Sequence, residues 1–159
     1  MTSKPIFVSP DGSRSLDPTG PIRIRVSGRD TNGAMAIFEV PTQIDAGAPL
    51  HVHRVENEWF YALRGEYDIQ VGDEIFKLTP GGSVYAPKLI PHTWHDVGDI
   101  SGTLLVIAQP AGHMEDFIAD LARLNAGSKR PRPEAMREMF TKYDMEIVGP
   151  PLPKRVVPK

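Results

Sequence analysis

The stretch "HVHRVENEWFYALRGE", residues 51–66, sets His51 and His53 one residue apart and brings Glu58 five residues after the second histidine. Side chains alternate faces along a strand, so His51 and His53 point the same way. Their backbones lie about 7 Å apart at the extended rise. Two imidazoles at that spacing can lean onto one ion about 2.0–2.2 Å from each nitrogen. Glu58 has the wrong parity to join them in an uninterrupted strand. A turn through Arg54, Val55, Glu56 and Asn57 therefore has to reset the register. With Glu58 inward, Phe60 and Ala62 also face inward, while Trp59, Tyr61 and Leu63 face outward. Glu56 is a rival carboxylate, placed within the turn itself.

A second segment, "PGGSVYAPKLIPHTWHD" at residues 80–96, runs from turn glycines through a strand and prolines to His92, where the next strand begins. His95 faces away from His92 in a regular strand. His113 follows Pro110, Ala111 and Gly112 near a helix start, where capping or solvent exposure is its ordinary role. Any one of these histidines alone reads most simply as a surface or hydrogen-bonded core residue. Taken together, His51, His53 and His92 on strand segments, with a carboxylate at a return position, read as a metal site. Three neutral imidazoles and one carboxylate suit a divalent first-row ion, about one per chain: Fe, Mn, Co, Ni, Cu or Zn. Four ligands on an ion that accepts five or six leave positions for water, substrate or dioxygen. Such an ion polarises a hydroxyl or enolate oxygen. Glu58 would either ligate it or take a proton from the substrate. Phe60, Ala62 and Trp94 are the expected apolar pocket around it.

The elements that must position these residues are short. Sixteen prolines and fourteen glycines cut the chain of 159 residues into brief runs rich in β-branched and aromatic residues. The predicted strands are 22–26, 34–40, 50–53, 59–65, 67–71, 74–78, 83–87 and 103–109, with turn residues between them. The pair YDIQV-GD-EIFKL reads as a hairpin around Gly72 and Asp73. Short strands with regular turns argue for an all-β sandwich or barrel. After residue 110 the period changes. Met114, Phe117, Ile118, Leu121 and Leu124 fall at helical spacing, with Glu115 and Asp116 in the first turn, Arg123 in the last and Gly127 beyond. GSKRPRP, 127–133, reads as a basic, solvated linker. PEAMREMFTKY, 133–143, reads as a second short helix with Pro133 at its first position and a packing face of Met136, Met139, Phe140 and Tyr143. The end, GPPLPKRVVPK, admits neither regular helix nor central strand. The expected organisation is an N-terminal extension, 1–20, a β-barrel, 21–110, and a C-terminal helical segment and tail, 111–159.

Composition narrows the function. Hydrophobic residues make up 40% of the chain, enough for a packed core. The absence of cysteine excludes thiolate chemistry, disulfides and cysteine-based zinc sites. A net charge of −2 gives no reason to expect nucleic acid as a partner. No apolar run approaches the length of a membrane span, and the polar, proline-broken N-terminus does not read as a signal peptide. A cytoplasmic location is the default expectation. A homodimer is expected too, because IRIRV and the outward Trp59, Tyr61 and Leu63 offer more edge or apolar surface than a lone small barrel comfortably exposes.

These motifs carry a resemblance. Gly47, His51, His53, Glu58 and Gly65 are similar to the first motif of the cupin superfamily; Gly81, Pro87 and His92 resemble its second. The resemblance implies a small antiparallel β-barrel, the double-stranded β-helix or jelly roll, with short C-terminal helices. It places the metal ligands on His51, His53, Glu58 and His92. The chain departs from the pattern in three places: the gap from Gly47 to His51 is short, Leu89 stands where glycine is usual, and Asp96 where asparagine is usual. "DTNGAMAIFEV", "APKLIPHTWHDVGD", "LLVIAQPAGHMEDFIADLA" and "KYDMEIVGPPL" look like small single-domain cupins of the quercetin 2,3-dioxygenase-like type. That implies a metal-dependent dioxygenase acting on a small aromatic or enolic compound, with Glu58 catalytic. Metal-dependent isomerisation of a sugar or keto acid uses the same ligand set and is the alternative, as is a non-catalytic cupin that binds a small ligand.

Overall fold

The computed structural model describes residues 4–10, 12, 14–15, 21–126 and 131–154. Gly127 and most of the basic linker, together with part of the N-terminal extension and the last five residues, lie outside the described residues. Among the described residues, eleven strands and two helices follow one another: β1 (Arg14–Ser15), β2 (Arg23–Val26), β3 (Ala36–Pro41), β4 (Leu50–His53), β5 (Asn57–Arg64), β6 (Tyr67–Val71), β7 (Glu74–Leu78), β8 (Ser83–Ala86), β9 (His92–Asp96), β10 (Thr103–Gln109), α1 (Met114–Asn125), α2 (Pro133–Lys142) and β11 (Met145–Gly149). The strands form two antiparallel sheets. One has the order β1-β2-β3-β10-β5-β8, the other β11-β4-β9-β6-β7. This is a jelly roll with short helices appended.

All eight expected strands form, with ends displaced by no more than two residues. The alternation that defines them is the alternation that builds the core. Along β5, Glu58, Phe60 and Ala62 are buried, whereas Trp59 and Tyr61 are half-buried and Leu63 is exposed. Phe38, Tyr67, Ile69 and Leu104 fill the space between the sheets. Gly72, at φ 59°, turns β6 into β7 so that Val71 pairs with Glu74.

Two strands were not foreseen. β1 covers the edge of β2, so IRIRV is not the open edge expected. β11 adds to β4, pairing Met145 with His53 and Ile147 with His51. The prolines beyond Gly149 end it, and its place at the edge of its sheet is where such a strand is tolerated. Both helices form as expected. α1 buries Met114, Phe117 and Ile118; α2 buries Met139 and Phe140. The Phe117 ring meets Phe140 edge-on at 5.0 Å. Asp120 of α1 ties the pair together, accepting from Lys142 Nζ at 2.6 Å and from the Tyr143 hydroxyl at 2.5 Å. Glu115 fastens α1 to the loop after β2 by accepting from Ser27 Oγ and from Gly28 N–H.

Two of the unusual residues have physical accounts. Asp96 is fully buried. Its Oδ2 accepts from Thr42 Oγ1 at 2.6 Å and its Oδ1 from Gly98 N–H at 3.2 Å. An asparagine would have one oxygen for two donors and would turn an amide onto the other. Leu89 has φ 67°, in the left-handed region where glycine is at ease. Its N–H donates to His53 O at 2.8 Å, which holds the loop before β9 against the end of β4.

The backbone of Leu89 generates a stability prediction. Its side chain is 60% exposed and contributes little burial. A left-handed L-residue costs roughly 1–2 kcal/mol, and glycine returns about 0.5–1 kcal/mol of that as unfolded-state entropy. Leu89→Gly is therefore expected to stabilise the metal-free protein by up to about 1 kcal/mol, a rise in Tm of roughly 2–4 °C. A lower Tm in calorimetry would show that the leucine side chain holds the loop.

Candidate metal centre

The two sheets bring four buried groups to one point. β4 supplies His51 and His53, and β9 supplies His92, which pairs directly with His51. Glu58 comes from β5 in the opposite sheet. Relative exposures are 6% for His51, 1% for His53, 5% for Glu58 and 0% for His92. One ligand atom from each lies within 4.8 Å of all the others. His51 Nε2 is 3.2 Å from His53 Nε2, and Glu58 Oε2 is 2.9 Å from His92 Nε2 and 3.6 Å from His53 Nε2. Adjacent ligands on an ion with bonds near 2.1 Å stand about 3 Å apart. The separations fit a single ion.

The outer nitrogens decide which atoms face the centre. His51 Nδ1 lies 2.8 Å from Pro49 O, and His92 Nδ1 lies 3.0 Å from Ile90 O. A carbonyl oxygen only accepts, so both Nδ1 atoms carry the proton. His53 Nδ1 lies 3.2 Å from Glu56 Oε2, also an acceptor. In the neutral rings all three Nε2 atoms are then left with bare lone pairs, directed together beside a carboxylate oxygen. That donor set suits one divalent transition ion.

The electrostatics agree. Burial, followed by the charges of His92 and His53, lowers the pKa of His51 to about 3. Burial opposes ionisation of Glu58, but the charge on His53, the hydrogen bond with His92 and the charges of His92 and His51 together outweigh it and bring its pKa to about 2. Burial also works against a charged His53. The charge of Glu58 and the hydrogen bond and charge of Glu56 exceed it and raise the pKa of His53 above its ordinary value. Glu58 is thus ionised and His51 neutral, and His53 retains its proton more readily than a free imidazole.

The remaining expected residues lie as follows. The Phe60 ring stands 6.1 Å from the His92 ring, edge to face. Ala62 is fully buried at the next inward position of β5. Trp94, half-buried on β9, meets Tyr67 at 6.5 Å. His95 faces away from the centre toward Asp45, 3.7 Å off. His113 is largely exposed beside Asp144 and makes no side-chain cap. Sequence reasoning missed Phe140 of α2, whose ring meets His51 edge-on at 5.4 Å. Glu56 was weighed as a ligand. It belongs instead behind His53; the Glu-x-Glu spacing, which gives Glu56 and Glu58 the same parity, was the signal for a second buried carboxylate.

Residues 39–108, which contain all four groups, match the family model for the cupin domain. Over 81 residues the chain is 25% identical to an uncharacterized protein of Methanocaldococcus jannaschii, a match covering 51% of this chain and 65% of that one. The chain therefore spans about two thirds of the length of that relative. Among solved structures, an RmlC-like cupin from Shewanella frigidimarina superposes with a TM-score of 0.54 at 21% identity, covering 70% of this chain and 96% of that one. KdgF from Halomonas sp. superposes with a TM-score of 0.50 at 16% identity, covering 62% and 86%. At these identities the two structures establish the fold, a cupin jelly roll. No helix among the described residues is long and apolar enough to cross a membrane.

Elemental analysis of the purified protein should find about one divalent transition ion per chain, and His51→Ala and His92→Ala should each lose most of it. Because the raised pKa of His53 leaves a proton competing for its Nε2, ion uptake releases protons, and affinity begins to fall above the ordinary histidine range and keeps falling as pH drops through it. Full metal content in both variants would remove the assignment.

Proposed function

We propose that this cupin-fold chain is a metal-dependent dioxygenase of the quercetinase-like type, acting on a small aromatic or enolic compound. One observation carries the reading. Three Nε2 atoms and a carboxylate converge on one buried point, and the rings beside them, Phe60 and Phe140, are apolar. Phenyl edges suit a planar unsaturated ring better than a polyhydroxylated sugar.

His51, His53, Glu58 and His92 hold the ion. When bound, the ion supplies polarisation of a hydroxyl or enolate oxygen and binding positions beyond its four protein ligands. Phe60, Ala62 and Trp94 are the apolar side of the pocket in this reading, with Phe60 beside His92; Phe60 and Ala62 are buried and Trp94 is half-buried, which limits the room for water there. Glu58 is the catalytic residue. Its low pKa keeps it ionised and makes it a weak base. With the ion bound, it would take the proton of a hydroxyl that the ion acidifies, which suits a phenolic or enolic substrate.

Oxygen-electrode assays with flavonols and other enolic rings test this reading. Substrate loss with matching oxygen uptake is expected. Conversion without oxygen uptake would mark an isomerase, and binding without turnover a ligand-binding protein. Glu58→Gln keeps one ligand oxygen but removes the basic site. It should retain much of its metal yet lose roughly 10²–10⁴-fold in turnover per bound ion. Near-normal turnover per ion would leave Glu58 a ligand alone.

The working unit we propose is a homodimer. Ile75 and Phe76 are exposed on β7, the edge of one sheet, and Tyr85 on β8, the edge of the other. Exposed apolar edges invite pairing. Light scattering at high micromolar concentration should give the dimer mass, and Phe76→Lys should shift it toward monomer. Monomer alone in the unaltered protein would reject the assembly.

A further inference from the structure

We infer that Glu56 is a positioning residue for the metal centre: its carboxylate holds His53 as the Nδ1–H tautomer and strengthens that ring as a ligand. The inference rests on the metal reading above and names a residue outside the four ligands. Glu56 sits in the turn between β4 and β5, yet it is 1% exposed. Turn carboxylates ordinarily face water. This one is drawn inward because both of its oxygens meet donors. Oε2 lies 3.2 Å from His53 Nδ1, and Oε1 accepts from His113 N–H at 2.8 Å.

The three ligand rings are not held alike. The outer nitrogens of His51 and His92 meet backbone carbonyls, of Pro49 and Ile90. The outer nitrogen of His53 meets a side chain. A carboxylate draws on the Nδ1–H more strongly than a neutral carbonyl does and leaves more electron density on Nε2. His53 is thereby the ring whose donor strength depends on a replaceable partner.

The surroundings are shaped to keep that partner in place. Gly112, immediately before the α1 cap residue His113, has φ 51°. A Cβ at Gly112 would collide with the Glu56 carboxylate. Glycine there serves both the backbone angle and the space for the carboxylate. Glu56 consequently joins a metal ligand on β4 to the start of the helix that packs over the barrel.

Zinc affinity by chelator competition, together with long-range proton–nitrogen spectra of the histidine rings, tests the inference. In the zinc-loaded wild type, His53 should show a hydrogen-bonded Nδ1–H and an Nε2 bound to metal. In Glu56→Gln, one amide oxygen must serve two donors. Zinc binding should weaken roughly 10- to 100-fold, and the His53 Nδ1–H resonance should move far more than those of His51 and His92. Gly112→Ala, which leaves every Glu56 atom present but displaces the carboxylate, should weaken zinc binding in the same direction. A wild-type His53 that ligates through Nδ1 overturns the inference, without recourse to any variant. So does zinc binding by Glu56→Gln within about twofold of wild type, since loss of an outer partner costs more than that. Weaker binding with an unmoved His53 resonance overturns it as well and leaves Glu56 a bridge to α1 only. A wild type that takes up no zinc or other divalent transition ion removes the metal centre itself, and the inference with it.

Discussion

The structure depends on keeping four ionisable groups out of water without leaving one of their polar atoms unpaired. A buried polar atom without a partner costs about 1–3 kcal/mol, and no buried side-chain nitrogen or oxygen among the described residues lacks one. Three imidazoles present six ring nitrogens. The fold assigns three of them outward, to Pro49 O, Ile90 O and Glu56, and three inward. The inward three have only one another and Glu58. Outward satisfaction and inward convergence are one arrangement, because each ring that gives its Nδ1–H away is left with a bare Nε2.

That arrangement accounts for the local shape of the chain. Pro49 and Ile90 each stand two residues before the histidine they serve, at the entry to β4 and to β9. A carbonyl two residues upstream reaches a ring nitrogen because both are set by the same short stretch of backbone. His53 comes at the end of β4, where the chain leaves the sheet, and a side chain from the following turn takes the carbonyl's place. The turn at 54–56 therefore does two things. It resets the register so that Glu58 faces inward on β5, and it returns Glu56 to the back of His53.

Most of this was legible in the residues. Alternation of burial marks β3, β4, β5, β6, β8 and β10, though not β7 or β9, and the His-x-His parity with a carboxylate after a reset turn pointed to the quartet that forms. What was not legible depends on contacts distant in sequence. Glu56 and Glu58 are alike as residues; only the approach of Gly112 and His113, more than fifty positions away, assigns one to the outer nitrogen of His53 and leaves the other at the centre. β11 escaped notice because MEIVG is brief and falls between a helix and prolines, although its own burial alternates at Met145, Glu146 and Ile147. Asp96 reads as a departure from a pattern until Thr42 and Gly98, the two donors it serves, are beside it. Leu89 is strained for a reason that no propensity reveals: its N–H is needed at His53 O.

The site also bears on how the two sheets stay together. A jelly roll is held chiefly by apolar contact between its inner faces, and that contact has no direction. At the mouth the apolar core gives way to polar groups. Glu58 Oε2 on one sheet lies 2.9 Å from His92 Nε2 on the other, a contact that is a directed bond between the sheets whenever Nε2 carries a proton. An ion held by His51, His53 and His92 from one sheet and Glu58 from the other would replace that single bond with ligation from both sides. Since an ion that binds the folded chain and not the unfolded one stabilises it by mass action, the donor set contributes to the fold as well as to the chemistry. Phe140 of α2 lies against His51, so the packing of the helix on the barrel and the assembly of the ligand set involve the same few residues. The contacts that gather the four buried groups are thus among those that hold the two sheets together at this end.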